Sequence, residues 1–147
     1  MSATEVNIRP ANELDLDDIV SIDEKISGKY RPDFWEGRLT YYLRRDPEAS
    51  VVAESGGRVV GFMLGEIRGG EFGLDASTAW VEVLGVDPDH RGGGVGRKMA
   101  EAMLARFRVQ GATSVRTLVE EGMDGIAGFF RSLGFEPATQ KPLVLTF

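Results

Sequence analysis

Apolar and polar positions change period several times along this chain, and each change marks an element. Residues 6–10 read as a short strand. Asn12 then suits a helix N-cap, and Glu13, Asp15 and Asp17 put negative charge at the positive end of the helix that follows. Leu16, Ile19, Val20 and Ile22 recur at helical spacing and supply its apolar stripe. A polar loop, 27–31, leads to a second helix with Pro32 in its first turn and Trp35, Leu39 and Leu43 along it. The period then drops to two. Strands are predicted over 51–54 and 59–67, joined by a hairpin turn at Ser55-Gly56-Gly57. Gly69, Gly70 and Gly73 mark a loop before the strongest strand, 79–86. The strongest helix, 95–110, carries Val95, Met99, Ala102, Met103 and Phe107 on one side and stops at Gly111. A strand at 114–119, a helix at 124–132 and two short terminal strands complete the order.

No repeat, low-complexity tract or Pro/Gly/Ser-rich linker divides the chain, so one α/β (α+β) domain is expected over 1–147. With 147 residues, 42% hydrophobic and 27% charged, the composition is that of an ordinary globular domain. At this size folding buries roughly two-thirds of the unfolded surface, enough for a core.

Several function classes drop out on composition. Cysteine is absent, which excludes disulfides, thiolate metal sites and cysteine nucleophiles, and makes a cytoplasmic home the simplest expectation. A single histidine, His90, makes multi-histidine metal sites and Ser-His-Asp chemistry improbable, and no metal is expected. The net charge of -6 argues against a nucleic-acid partner, which would need a surplus of Lys and Arg on one face. No apolar run approaches the roughly 20 residues of a membrane span, and residues 1–10 lack the pattern of a signal peptide.

The segment VEVLGVDPDHRGGGVGRKM, residues 81–99, carries the chemistry. A strand ends at Val86, Pro88 ends the pairing, and Arg91-Gly92-Gly93-Gly94-Val95-Gly96 runs straight into a helix. Glycines let the backbone approach a bulky anion closely. The unpaired N–H groups and positive dipole end of the helix then bind phosphate oxygens, and Arg91 and Arg97 add charge-assisted donors. A P-loop needs Gly-Lys-Ser/Thr, but the chain has Gly96-Arg97-Lys98-Met99. A dinucleotide fingerprint needs a third glycine where Met99 stands.

The string V-x-P-x-x-R-G-x-G-x-G, met by Val86, Pro88, Arg91, Gly92, Gly94 and Gly96, resembles the pyrophosphate motif of the GNAT acetyltransferase superfamily. The block FFRSLGF, 129–135, looks like the family's second CoA-side motif, and with the element order the resemblance covers essentially the whole chain. It implies a mixed, mostly antiparallel sheet of about six to seven strands flanked by about four helices, with a splayed parallel strand pair forming an acyl-CoA cleft. It implies acetyl-CoA as co-substrate and direct transfer of the acetyl group to a primary amine on a small molecule or peptide. The alternative class is a non-catalytic acyl-CoA-binding sensor or interaction module. Relatives often pair, so a homodimer is open, with residues 143–147 as an edge strand.

By the same resemblance, Leu84 and Val86 offer main-chain contacts to pantetheine, and Gly85 lies where the family's strand bulge is cheapest. The pyrophosphate contacts fall on Arg91, Gly92, Gly93, Gly94, Val95, Gly96 and Arg97. Glu82 is the expected general base. Alternation puts it on one face with Trp80 and Leu84, and a carboxylate inside an apolar strand is costly unless paired or solvated. Glu120 is the second choice. Phe130 stands where many relatives carry a tyrosine that protonates the leaving thiolate, so it packs against cofactor or core, and Tyr30 is the substitute acid.

Overall fold

The computed structural model of the chain describes residues 5–70 and 73–147. Residues 1–4, the start of the segment screened for a leader, lie outside the described residues. The chain divides into two compact units, Met1–Thr117 and Leu118–Phe147.

In the first unit β1 (Asn7–Pro10), β2 (Val51–Ser55), β3 (Arg58–Ile67), β4 (Thr78–Val86) and β5 (Ser114–Thr117) form one sheet in chain order. All neighbours are antiparallel except β4 and β5. Three helices belong to this unit: α1 (Leu16–Ser27), α2 (Pro32–Arg45) and α3 (Val95–Val109).

Local chemistry explains the boundaries. The Asn12 side chain accepts from the Leu14 N–H at 2.8 Å, and the Asp15 carboxylate accepts from the Asn12 N–H at 2.9 Å. This reciprocal capping box closes a short 3-10 turn that feeds α1. The β2–β3 hairpin turns on Gly56 and Gly57, both at positive φ, between the paired residues Ser55 and Arg58. That is the backbone a two-residue turn with two positive φ angles demands.

Alternation along β3 sorts the core into two layers. Phe62 meets Trp35 of α2 edge-to-face at 5.2 Å, and Leu64 joins the same cluster with Ile19, Val20 and Leu39. The residues flanking them face α3: a Cβ on Gly61 would meet the Met99 side chain at 2.9 Å, and one on Gly65 would meet Phe107 at 3.4 Å. The sheet is thus sandwiched between α1 and α2 on one side and α3 on the other.

The second unit contains α4 (Asp124–Ser132). Phe130 is buried there, with ring centroids 5.2 Å from Phe129 and 5.0 Å from Phe135.

Among the described residues the predicted element order holds through α4, with four α-helices, but the sheet has five strands and not six to seven. The described residues beyond α4 form no ladder. Pro137 and Pro142 each remove a backbone donor from that stretch, and Leu143, Val144, Leu145 and Phe147 are exposed. The expected edge strand at 143–147 is therefore absent. β5 is also shorter than predicted, ending at Thr117.

Candidate active site

The site begins where a ladder stops. β4 pairs with β5 only from Thr78 to Val81, and the Thr117 hydroxyl donates to the Val81 carbonyl at 2.9 Å, satisfying the last acceptor of the parallel pair. From Glu82 to Val86, β4 keeps β3 on one side and has no strand on the other among the described residues. The parallel pair that the resemblance implies is thus present over four residues, and β5 ends at Thr117.

A β-bulge sits at the same point. Leu64 pairs with Val83 and Gly65 with Val81, so Glu82 is the extra residue on β4. The bulge therefore lies at Glu82 and not at Gly85. Gly85 has a different duty: a Cβ there would come within 2.6 Å of the Phe62 ring that covers it. The bulge also breaks the predicted alternation of Trp80, Glu82 and Leu84, since the extra residue resets which side chains share a face. Glu82 and Val83, adjacent in sequence, both line one cleft.

Beyond the free edge the chain is clamped and then opened. Asp87 accepts from the Asp89 N–H at 3.0 Å and from Lys25 of α1 at 3.0 Å. Burial pushes its carboxyl upward, but those two donors outweigh burial and hold it below the ordinary aspartate range. Arg91 folds back, its Nε donating to the Val86 carbonyl at 3.3 Å. Gly92 and Gly94 both have positive φ, 84° and 79°, and Gly94 is the N-cap of α3. Space around Gly92, Gly93 and Gly94 is open. The first-turn N–H groups of Val95 and Gly96 have no partner within α3, and a Cβ on Gly92, Gly93 or Gly94 would meet nothing within 4 Å. A diphosphate fits this cradle, and the free edge of β4 offers main-chain groups for the amides of a pantetheine arm.

The other side of the site is a cleft of about 390 Å³ between α2 and the β3–β4 surface. Phe34, Tyr41 and Tyr42 of α2 form a wall, and Glu66, Arg68 and Glu82 line the strand side. The Glu82 side chain is 22% exposed, and its Oε1 accepts from Arg68 Nη1 at 2.6 Å. Glu66 is 1% exposed, with its Oε1 accepting from the Tyr41 hydroxyl at 3.0 Å and facing Arg45 Nε at 2.9 Å. Its Oε2 finds no hydrogen-bond donor among the described residues, and Arg68 Nη1 stands 3.7 Å away. The Tyr42 hydroxyl, buried and near the charges of Glu82 and Glu66, has its pKa pushed up to about 12, burial being the larger cause. It stays protonated across the working range.

The sequence-based site residues therefore separate. Glu82, Leu84, Gly85, Val86, Arg91, Gly92, Gly93, Gly94, Val95, Gly96 and Arg97 lie along one continuous path from the bulge to α3. Tyr30, in the α1–α2 loop, is 68% exposed and next to Arg31, which lines the cleft beside Glu82. Glu120 is exposed and, with Phe130, belongs to the second unit. Sequence reasoning missed Glu66 and Arg68. Glu66 follows Phe62 and Leu64 at period two, so the rule that singled out Glu82, a carboxylate inside an apolar strand, would have found it.

Known proteins bear on this geometry. The family model described as Acetyltransferase (GNAT) family matches residues 16–135. A mycothiol acetyltransferase of Thermobispora bispora is 37% identical over 90 residues, 61% of this chain but only 30% of that protein. An acetyltransferase of Yersinia pestis is 30% identical over 103 residues, 70% of this chain and 67% of that protein. Among solved structures, the aminoglycoside N-acetyltransferase AAC(6')-Iy in complex with CoA superposes with a TM-score of 0.83, covering 99% of this chain and 97% of that one at 20% identity. Ard1 from Thermoplasma volcanium superposes with a TM-score of 0.77 at 25% identity, covering 91% of this chain and 84% of that one.

Proposed function

This chain belongs to the acetyltransferase (GNAT) family, and we propose that it transfers the acetyl group of acetyl-CoA directly to a primary amine, on a small molecule or a peptide. One observation carries the reading. A strand edge freed at Glu82 leads, through a 3-10 turn at Pro88–His90, into an open glycine loop and the N-terminus of α3, and a carboxylate cleft stands at the start of that edge.

Acetyl-CoA, the family's co-substrate, supplies an activated acetyl thioester. The chain's own groups do the rest. The N–H groups of Gly92–Arg97 and the Arg91 and Arg97 side chains hold the diphosphate, and the β4 main chain at Leu84 and Val86 aligns the arm. Glu82 takes one proton from the acceptor ammonium. The freed amine then forms the N–C bond as the C–S bond breaks, and its second proton leaves to solvent or base. Glu120 is the second candidate for the base. With phenylalanine at position 130, the thiolate departs either unprotonated, as a thiol with a pKa near 8.5 allows, or with a proton from Tyr30.

The whole of 1–147 acts as one acetyltransferase domain in this reading. A cytoplasmic location and the lack of a nucleic-acid partner rest on the absent cysteines and the net charge of -6. Among the described residues no helix is long and apolar enough to cross a membrane. A homodimer remains compatible with the chain.

Calorimetric titration with acetyl-CoA, NADH and ATP, followed by release of free CoA with a panel of amines, tests the proposal. Binding of acetyl-CoA alone with CoA release on amine addition is expected. Binding without release under any amine would favour the acyl-CoA-binding module, and no binding would remove the cradle.

A further inference from the structure

Glu66 and Arg68 stand beside Glu82, and the transfer reaction as written above uses neither. Arg68 Nη1 lies 2.6 Å from Glu82 and 3.7 Å from Glu66 Oε2, so one guanidinium stands between two carboxylates but bonds only the first. The second is the more demanding. Glu66 is buried, held in place through Oε1 by Tyr41 and Arg45, and its Oε2 lacks a donor. A buried charged oxygen without a hydrogen bond is unfavourable and gains most from acquiring one. An approach of about 1 Å would bring the arginine to charge-assisted bonding distance, about 2.8 Å.

The arginine is built to make such a move with its side chain alone. Its main chain is fixed at both ends, the N–H donating to the Thr78 carbonyl at 2.8 Å and the carbonyl accepting from Trp80 Nε1 at 3.0 Å. Its guanidinium lies 5.2 Å from the Trp80 ring centroid, a surface along which a planar cation slides, and the side chain is 39% exposed.

A carboxylate bonded to a guanidinium at 2.6 Å has that oxygen occupied. To accept a proton from an acceptor ammonium through it, Glu82 must be released. We propose that Arg68 is a positioning residue that latches Glu82 in the free protein and yields it to the incoming ammonium, transferring its own hydrogen bond to Glu66 Oε2. Glu66 is the resting place that makes release nearly even in energy. The inference rests on the reading of Glu82 as the base.

The test is steady-state kinetics with an amine that the protein acetylates, alongside calorimetric affinity for acetyl-CoA. Glu66→Gln removes the charged resting place, so the acceptor KM is expected to rise about tenfold while acetyl-CoA affinity stays unchanged. Adding Arg68→Met to that variant removes the latch itself and is expected to restore the acceptor KM to within about threefold of the parent. Rescue by a second deletion is an outcome that two merely structural residues would not give. A double variant no better than Glu66→Gln overturns the latch. Arg68→Met alone, a half-exposed change, is expected to lower the acceptor KM severalfold, and a raised KM overturns the proposal even if Glu66→Gln fails to fold. Glu82→Gln in the Arg68→Met background separates the two ideas. If it runs at full rate, Glu82 is not the base and both fall; if it is slow and the rescue still fails, only the latch falls.

Discussion

A Cβ on Gly65 would fall onto the carbonyl oxygen of Trp80, two residues before Glu82 on the neighbouring strand. The close approach is the counterpart of the bulge, since Gly65 and Val81 are the last pair before the register shifts at Glu82. Gly65→Ala is therefore expected to destabilise the fold by about 1–3 kcal/mol, the usual range for overpacking. It should also lower turnover more than the lost stability explains, because Glu82 is displaced. Urea unfolding together with assays well below the melting temperature checks both parts; an unchanged rate would detach the bulge from catalysis.

Glu82→Gln keeps the shape of the side chain and removes its basicity. Loss of general-base catalysis costs about 10²- to 10⁴-fold in turnover, and a fall in that range at neutral pH is expected with acetyl-CoA affinity intact. A variant at full rate would move the base to Glu120 or to water.

Gly94 caps α3 at a φ of 79°. Valine there meets the left-handed backbone penalty of about 1–2 kcal/mol for an ordinary residue, and more for a β-branched one. It also puts a side chain into the open space of the loop. Gly94→Val is expected to abolish measurable acetyl-CoA binding by calorimetry while the far-ultraviolet circular dichroism remains that of the parent. Unchanged affinity would show that the loop does not hold the diphosphate.

Asp23 of α1 receives two hydrogen bonds from Arg31, at 2.9 and 3.1 Å, and this pair ties the α1–α2 loop beside the cleft. The Arg31 hydrogen bonds are the largest cause holding the Asp23 carboxyl below its ordinary value of 3.8. A lowered folded-state pKa contributes stability that is present above the unfolded value and is lost as pH falls through the folded one. The parent's urea midpoint should therefore drop below about pH 4 more steeply than that of Asp23→Asn, which has no such proton to take up. Parallel acid limbs in the two proteins would contradict the assignment.

Phe107 is fully buried between α3 and β3. Phe107→Ala is expected to cost about 3–5 kcal/mol from lost transfer energy and the cavity left behind, read as a lowered urea midpoint with an unchanged slope.

Much of this molecule was legible before folding because the relevant signals are local. The helix periods, the strand periods of β1 to β3, the Asn12 cap, the Gly56-Gly57 turn and the run Arg91–Gly96 each depend on backbone chemistry within a few residues, and all of them stand where the pattern put them. The proposed diphosphate cradle belongs to this class, since a strand end, glycines and a helix start are close in sequence.

What the sequence left open depends on groups far apart along the chain. Residues 143–147 are an apolar run of strand length, yet strand status requires a neighbour to pair with, and local sequence supplies none. The bulge was expected at Gly85, the residue with the most backbone freedom, but the register is decided by Gly65 approaching Trp80 on another strand. Glu66 and Arg68 became part of the site only when α2 brought Tyr41 and Arg45 over β3 and the bulge turned Glu82 to meet them. Local sequence determines which backbone conformations are cheap. Only the packed structure decides which charges share a cleft, because a buried carboxylate's partners are chosen by distance in space and not by position in the chain.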